Sequence, residues 1–318
     1  MSAYIIRRLI QGFIVMILVT LIVFLMMRLL PGDPVLMYLS ADDFDAATAE
    51  EVAALRHEWG LDKPLMVQYF VWIGDIARGD FGMSLMQGTE VSDEIGRALP
   101  RTLYLGIIAW VVSHTLGPIM GLIAAVRRGK WPDTVLTSLA TLGICIPIFW
   151  LGILFIYLFG LRLGWFPIQG YTSPFDDLVL SLRKMFMPAF VMSVTHLAGS
   201  ARQMRSAMLE VIRQDYIRTA WSKGLGEGTI IMRHALKNAI IPVVTLSGLS
   251  IRNIFGGTVL IESVFNIPGM GRLSVIALHG QDYAIVQGVI LVVAFVVVIS
   301  NLLVDISYGW LDPRIRYQ

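Results

Sequence analysis

Six stretches of this chain, residues 9–30, 102–126, 134–161, 185–204, 239–261 and 284–306, are apolar over the roughly 20 residues a helix needs to cross a bilayer. Inside hydrocarbon every backbone N–H and C=O must be paired within the protein, which restricts lipid-facing segments to helices and closed barrels. Runs of this length select the helix. The chain is therefore read as an all-α, multi-pass membrane protein with six transmembrane helices. Composition agrees, with 56% hydrophobic and 15% charged residues and a mean hydropathy of +0.70. A soluble domain carries about a quarter charged residues.

The net charge of +2 conceals an asymmetry: residues 31–100 hold thirteen acidic and four basic residues, a net of −9, which leaves +11 for the rest. Lys and Arg accumulate on the cytoplasmic side of a membrane. Arg7 and Arg8, "RRGK" (127–130), the basic segment 215–242 and "DPRIRY" (312–317) all fall on one side of a six-span arrangement, and the acidic segment falls on the other. Both termini are thus expected in the cytoplasm and residues 31–100 outside. Arg7 and Arg8 lead into an apolar run too long for a signal peptide, with no small-residue cleavage site, so the first helix is expected to be uncleaved. The single cysteine, Cys145, excludes an intrachain disulfide and a Cys-rich metal site; it is read as a small buried hydrophobe.

Three parts are expected: a cytoplasmic N-terminus with the first helix (1–30), an external helical subdomain (31–100) and a transmembrane core (101–318). In the external part, "TAEEVAALRHEWGL" (48–61) begins with a capping box of Thr48 and Glu51, and "LMVQYFVWIGDIARG" (65–79) reads as a second amphipathic helix.

The segment "DYIRTAWSKGLGEGTIIMRHALKNAIIP" (215–242) is the chain's polar anomaly. Ahead of it Ala201, Met204, Met208 and Val211 share one side of a helix, with Arg202, Arg205 and Arg213 away from it. "YIRTAWSK" then reads as a short helix ended by Gly224, while Gly226 and Gly228 oppose a long continuous one. A second helix, "TIIMRHALKN", leads to Pro242. The expected product is a cytoplasmic helix–turn–helix elbow, within 213–238, presenting Thr219, Ala220 and Lys223. Composition alone favours a basic loop that obeys the charge rule and touches lipid headgroups.

The spacing adds more. "RTAWSKG" (218–224) resembles the EAA signature of ABC-importer permeases, in which an acidic residue, two small residues and a glycine form the loop gripped by an ATPase subunit. Arg218 stands in the acidic position, Thr219 and Ala220 in the small ones, and Gly224 is the glycine. The chain as a whole is similar to the B-type subunit of dipeptide and oligopeptide importers. "RLLPGDP" (28–34), "RGDFGMSL" (78–85), "LPRTLYL" (99–105), "IPIFWLGI" (146–153), "QDYIRTAWSKGL" (214–225), "ESVFNIPGMGRL" (262–273), "DYAIVQGV" (282–289) and "LDPRIR" (311–316) carry the likeness in order.

The resemblance implies the type I ABC-importer permease fold and a coupling surface of Tyr216, Arg218, Thr219, Ala220, Lys223, Gly224 and Leu225. It implies four kinds of company: a second homologous permease, two ATPase subunits, an external substrate-binding protein and membrane lipid. Nucleic acid has no part in it. It also implies a prokaryotic inner (plasma) membrane and peptide as cargo. The same machinery serves nickel chelates, opines, glutathione and oligosaccharides. No G-x-x-x-x-G-K-[ST] occurs, so this chain binds no cofactor through a P-loop, and ATP and magnesium would sit on the ATPase partners. The chain is accordingly expected to be non-catalytic.

Several residues invite individual roles. Arg252 and Asn253 fall mid-way along the fifth run, where lipid exposure is costly. They are read as lining the translocation pathway, with a structural pairing to Glu262, Asp305 or a partner permease as the alternative. His114 and His196 are read as satisfied helix–helix hydrogen bonds rather than a proton relay or metal site. Asp305 is expected to tether the last turn, and Pro118 and Pro147 to kink their spans. The turn "SVFNIPGMGRL" (263–273) cannot be one regular helix; the resemblance puts Phe265, Pro268 and Met270 near a substrate entrance, and a simple tight turn is the competing account. An ion-coupled secondary transporter would need carboxylates at membrane depth, and a membrane-embedded enzyme a completed catalytic constellation. The central parts of the six runs offer neither.

Overall fold

The computed structural model describes residues 2–29, 49–58, 60–84, 86–250 and 258–311. Among these the chain is helical, with a single isolated bridge between Met83 and Glu90 in place of any sheet. Four helices are long and apolar enough to cross a membrane, or five if one sharply bent pair counts as a span.

The first compact unit contains α1 (Ser2–Leu29), α2 (Ala49–Glu58), α3 (Leu65–Ala77), the start of α4 (Val91–Val126) and most of α14 (Tyr283–Leu311). α1 buries little beyond Val23 and Phe24 and leaves a surface of Ile, Leu, Phe and Met, as a lipid-facing helix does. Its last turns dock on α3: Phe24 meets the rings of Tyr69 at 5.5 Å and Trp72 at 5.7 Å, and the Thr20 hydroxyl lies 2.9 Å from that of Tyr69. At the other end of the unit the buried Asp282 carboxylate accepts from Ser84 Oγ at 2.6 Å and from the backbone N–H of Ile285, which caps α14 and ties it to the loop of residue 84.

The second unit contains the rest of α4, then α5 (Trp131–Cys145), α6 (Ile148–Phe155) with its π-helical continuation Ile156–Arg162, and α7 (Leu178–Val211). It continues through α8 (Asp215–Ser222), α9 (Glu227–Thr229), the π-helical Ile230–Ala235, α10 (Leu236–Ala239), α11 (Ile241–Ser250) and α12 (Thr258–Val264). α13 (Met270–His279) runs across the division between units. Glycines set the closest approaches. A Cβ on Gly121 would lie 2.2 Å from the Ala201 carbonyl, one on Gly117 2.8 Å from that of Leu197, and one on Gly143 2.7 Å from Val194. α4 and α5 therefore press directly against α7, backbone to backbone in the first two cases.

Several boundaries differ from those expected. α4 starts at Val91, so residues 91–100 form its first turns, with Asp93 and Glu94 favourably placed at the positive end of the helix. It runs on through Pro118 as one assigned helix. The third run does break at its proline: Pro147 holds Ile146 extended, and α5 and α6 diverge by 109°. Cys145, the last residue of α5 before that break, is exposed rather than buried. The fifth run is seen as α11 and α12, with residues 251–257 between them outside the described set. Thr48 also lies outside it, α2 being described from Ala49.

Candidate functional site

The polar segment 215–242 folds as an elbow with two contrasting sides. α8 ends where Gly224 takes φ +76°, a left-handed conformation that suits glycine, and the Gly224 N–H closes the turn on the Trp221 carbonyl at 2.9 Å. Glu227 then opens the return helix, two residues earlier than its sequence pattern suggests, so Gly228 lies inside its first turn. The return is continuous through Ile230–Ala235, where the π-helical stretch shifts its register.

One side of the elbow is core. Ile217, Ala220, Ile230, Ala235 and Ala239 pack with Ala125 of α4, Met204 and Met208 of α7 and Val243 of α11. Ala220, expected on the presented surface, is only 7% exposed and anchors α8 instead. The opposite side carries Tyr216, Arg218, Thr219, Lys223, Gly224 and Leu225, all exposed. Trp221, which the sequence pattern did not single out, joins them at 45% exposure. Asn238 donates to the Tyr216 hydroxyl at 2.7 Å and ties the two arms together. Arg205 departs from expectation as well: it turns into the protein to meet Asp133, whereas Arg202 and Arg213 are exposed. The side-chain pattern alone could not separate Arg205 from Arg202, because both occupy the polar face of α7, and Arg213 lies just beyond its end.

On the far side of the core, Glu262 organises the turn between α12 and α13. Its fully buried carboxylate accepts from Thr102 Oγ1 at 2.6 Å and from the Arg272 N–H at 3.0 Å. Thr102 Oγ1 in turn accepts from the Met270 N–H at 2.8 Å. Phe265 and Met270 are each 1% exposed, so in this structure the turn faces inward with its apolar residues. Pro268 is partly exposed, and its carbonyl accepts from Arg101 at 3.0 Å.

His114 is held between helices: Nδ1 lies 2.9 Å from the Trp110 carbonyl and 2.8 Å from Ser113 Oγ, and Nε2 lies 3.0 Å from Ser250 Oγ of α11. Among the described residues no three His, Cys, Asp or Glu side chains converge as a metal site would require. Arg252 and Asn253 lie outside the described residues, as does the side chain of Asp305.

A family model described as the binding-protein-dependent transport system inner membrane component matches residues 117–317, and one for the N-terminal part of such components matches residues 1–106. The chain belongs to this family. A protein of Brucella abortus (strain 2308), named as a peptide transport system permease, is 42% identical over 317 residues and covers the whole of both chains. The dipeptide transport system permease protein DppB of Alkalihalophilus pseudofirmus is 36% identical over 337 residues, again across both chains. Among solved structures, a chain of the MetNI methionine ABC transporter in inward-facing conformations superposes with a TM-score of 0.56 at 15% identity, over 69% of this chain and 96% of that one. A chain of an amino acid ABC transporter with histidines gives 0.51 at 14% identity, over 68% of this chain and 92% of that one. The fold is thus that of type I ABC transporter permeases.

The permease is a multi-pass membrane protein and an ABC importer subunit, a family that works with ATPase and binding-protein partners. Its elbow is not a free loop but is packed into the core. Displacing α8 means displacing Ile217 and Ala220, and through them the buried faces of α4, α7 and α11.

Proposed function

We propose that this permease forms, with a second homologous permease, the translocation pathway of an ATP-driven importer for peptides delivered by an external binding protein. Both termini and the elbow lie in the cytoplasm, the acidic segment outside, and the chain crosses the membrane six times. Two ATPase subunits bind ATP and magnesium; this chain supplies no covalent chemistry. One ATPase grips Tyr216, Arg218, Thr219, Trp221, Lys223 and Leu225, and nucleotide-driven closure moves the elbow as a rigid piece. Full-length relatives named as peptide and dipeptide permeases support the cargo class. The observation that carries coupling is the two-sidedness of α8, with Ile217 and Ala220 in the core and its polar side exposed.

The test is substrate-stimulated ATP hydrolysis by the whole assembly in nanodiscs, comparing wild type with Gly224→Pro. Proline fixes φ near −65° and lacks the N–H, so it is incompatible with the +76° and the closing hydrogen bond at this position. An assembled Gly224→Pro complex is expected to lose stimulation. Stimulation at the wild-type level would mean that the drive enters elsewhere. Stimulation by a nickel chelate, opine, glutathione or oligosaccharide in place of peptide would redirect the cargo assignment, and uptake without ATPase subunits would restore the secondary-transporter reading.

A further inference from the structure

Arg101 directly precedes the predicted second span, on its external side, where Lys and Arg are disfavoured. Its Nη1 donates to the Pro268 carbonyl at 3.0 Å, and its guanidinium lies 5.3 Å from the centroid of the Tyr171 ring. Lys184 of α7 approaches the same stretch from another direction, donating to Thr172 Oγ1 at 2.8 Å and to the Tyr171 carbonyl at 3.4 Å. The Gly170 N–H donates to the Phe265 carbonyl at 3.0 Å, which pins residues 170–172 to the turn carrying Pro268. Three elements therefore hold two cations around one tyrosine, and Arg101, Tyr171, Lys184 and Pro268 are all partly exposed.

Neither cation has an acidic partner among the described residues. Glu262, close by, is occupied by Thr102 and the Arg272 N–H. Asp176 acts on the Tyr171 phenol, whose pKa is raised mainly by burial and pulled back by Arg101, but it pairs with neither cation. A half-buried guanidinium held only by a neutral carbonyl and a ring keeps most of its N–H donors open. Its place over the ring and its bond to the Pro268 carbonyl leave N–H donors that suit the oxygens of a carboxylate.

We propose that Arg101, oriented by Tyr171 and supported by Lys184, receives the C-terminal carboxylate of the peptide as it leaves the binding protein. The inference rests on the peptide-import reading. It gives the permease a contact common to every unmodified peptide and indifferent to side chains, as a hand-over site for mixed cargo requires.

The experiment titrates peptide-loaded binding protein against the full assembly in proteoliposomes and reads maximal uptake and the half-saturating concentration. Arg101→Gln is expected to lower maximal uptake about tenfold, the scale of one charge-assisted contact, with half-saturation unchanged. Arg101→Lys keeps the charge but loses the planar fork and should cost about threefold, less than the Gln variant, and Lys184→Gln should also cost about threefold. If Arg101→Gln raises the half-saturating concentration and leaves maximal uptake intact, the carboxylate belongs to the binding protein and the proposal is overturned. Equal losses in the Gln and Lys variants, or wild-type behaviour of both Arg101→Gln and Lys184→Gln, overturn it as well. Should Arg101→Gln fail to assemble, Lys184→Gln decides. A wild-type assembly that moves a different cargo class and no peptide removes the peptide reading and this inference together; normal peptide uptake with unaffected variants removes the inference alone.

Discussion

Arg205 and Asp133 meet at two points, Nε 2.7 Å from Oδ1 and Nη2 2.9 Å from Oδ2, so that the guanidinium of α7 clamps the first turn of α5. The Gly129 N–H and Thr137 Oγ1 complete the carboxylate's shell at 3.0 and 3.3 Å. Arg205 follows Met204, whose side chain lies in the core beneath the elbow, so the clamp sits on the helix against which the elbow packs. Asp133→Asn leaves a partly buried guanidinium without its counter-ion and is expected to cost about 2 kcal/mol. Arg205→Lys keeps the charge but loses the fork and should cost about half as much. Thermal unfolding of the purified assembly in detergent measures both.

Gly121 and Gly199 occupy helices that touch, yet their surroundings are opposite. An added Cβ at 121 would sit 2.2 Å from the Ala201 carbonyl, while one at 199 meets nothing within 4 Å. Gly121→Ala must push α4 away from α7 and is expected to destabilise by about 2–3 kcal/mol. Gly199→Ala relieves only the entropic penalty of a helical glycine and should stabilise by about 0.5–1 kcal/mol. Melting temperatures of opposite displacement check the pair.

Replacing Glu262 by Gln keeps its size but puts an NH2 group where the carboxylate accepts from Thr102 and Arg272. At least one buried donor then loses its acceptor, at about 1–3 kcal/mol. Gly271→Ala strikes the same turn sterically, its Cβ falling 2.5 Å from Val259 Cα. Both variants should loosen the turn, with limited proteolysis between residues 262 and 273 reading the change.

Ile217 is fully buried beneath α8. Ile217→Ala removes apolar atoms from the elbow's anchor and should cost about 2–4 kcal/mol. Faster amide hydrogen exchange is expected across residues 215–225, together with fewer peptides moved per ATP hydrolysed. Thr219→Ala, on the exposed side, gives up one hydrogen bond to the Asp215 carbonyl and should leave exchange near the wild-type rate.

The elbow illustrates how far sequence reading reached. Gly224 ended α8 where its pattern requires, because a left-handed turn after a short helix is a local demand that glycine meets. The inward turn of Ala220 was not legible, since an alanine fits either side of a helix and only the neighbouring Met204 and Met208 decide. The same holds for Arg205: its position among polar neighbours reads as exposed until α5 brings Asp133 across 72 residues of chain. The burial of Phe265 and Met270 was not legible either, since it depends on Glu262 holding the turn through the Arg272 N–H and on Thr102 of α4.

By itself the sequence determined the membrane class, the helical architecture and the place of the elbow. Run length, apolar periodicity, charge asymmetry and turn residues act over a few positions and need no tertiary partner to be read. The tertiary structure alone decided the 109° divergence of α5 and α6, the backbone contact at Gly121, the Asp133–Arg205 clamp and the convergence of Arg101 and Lys184 on Tyr171. Each joins elements distant in sequence or depends on how they turn toward one another. Such contacts are fixed by packing and charge complementarity among helices, which no local pattern encodes.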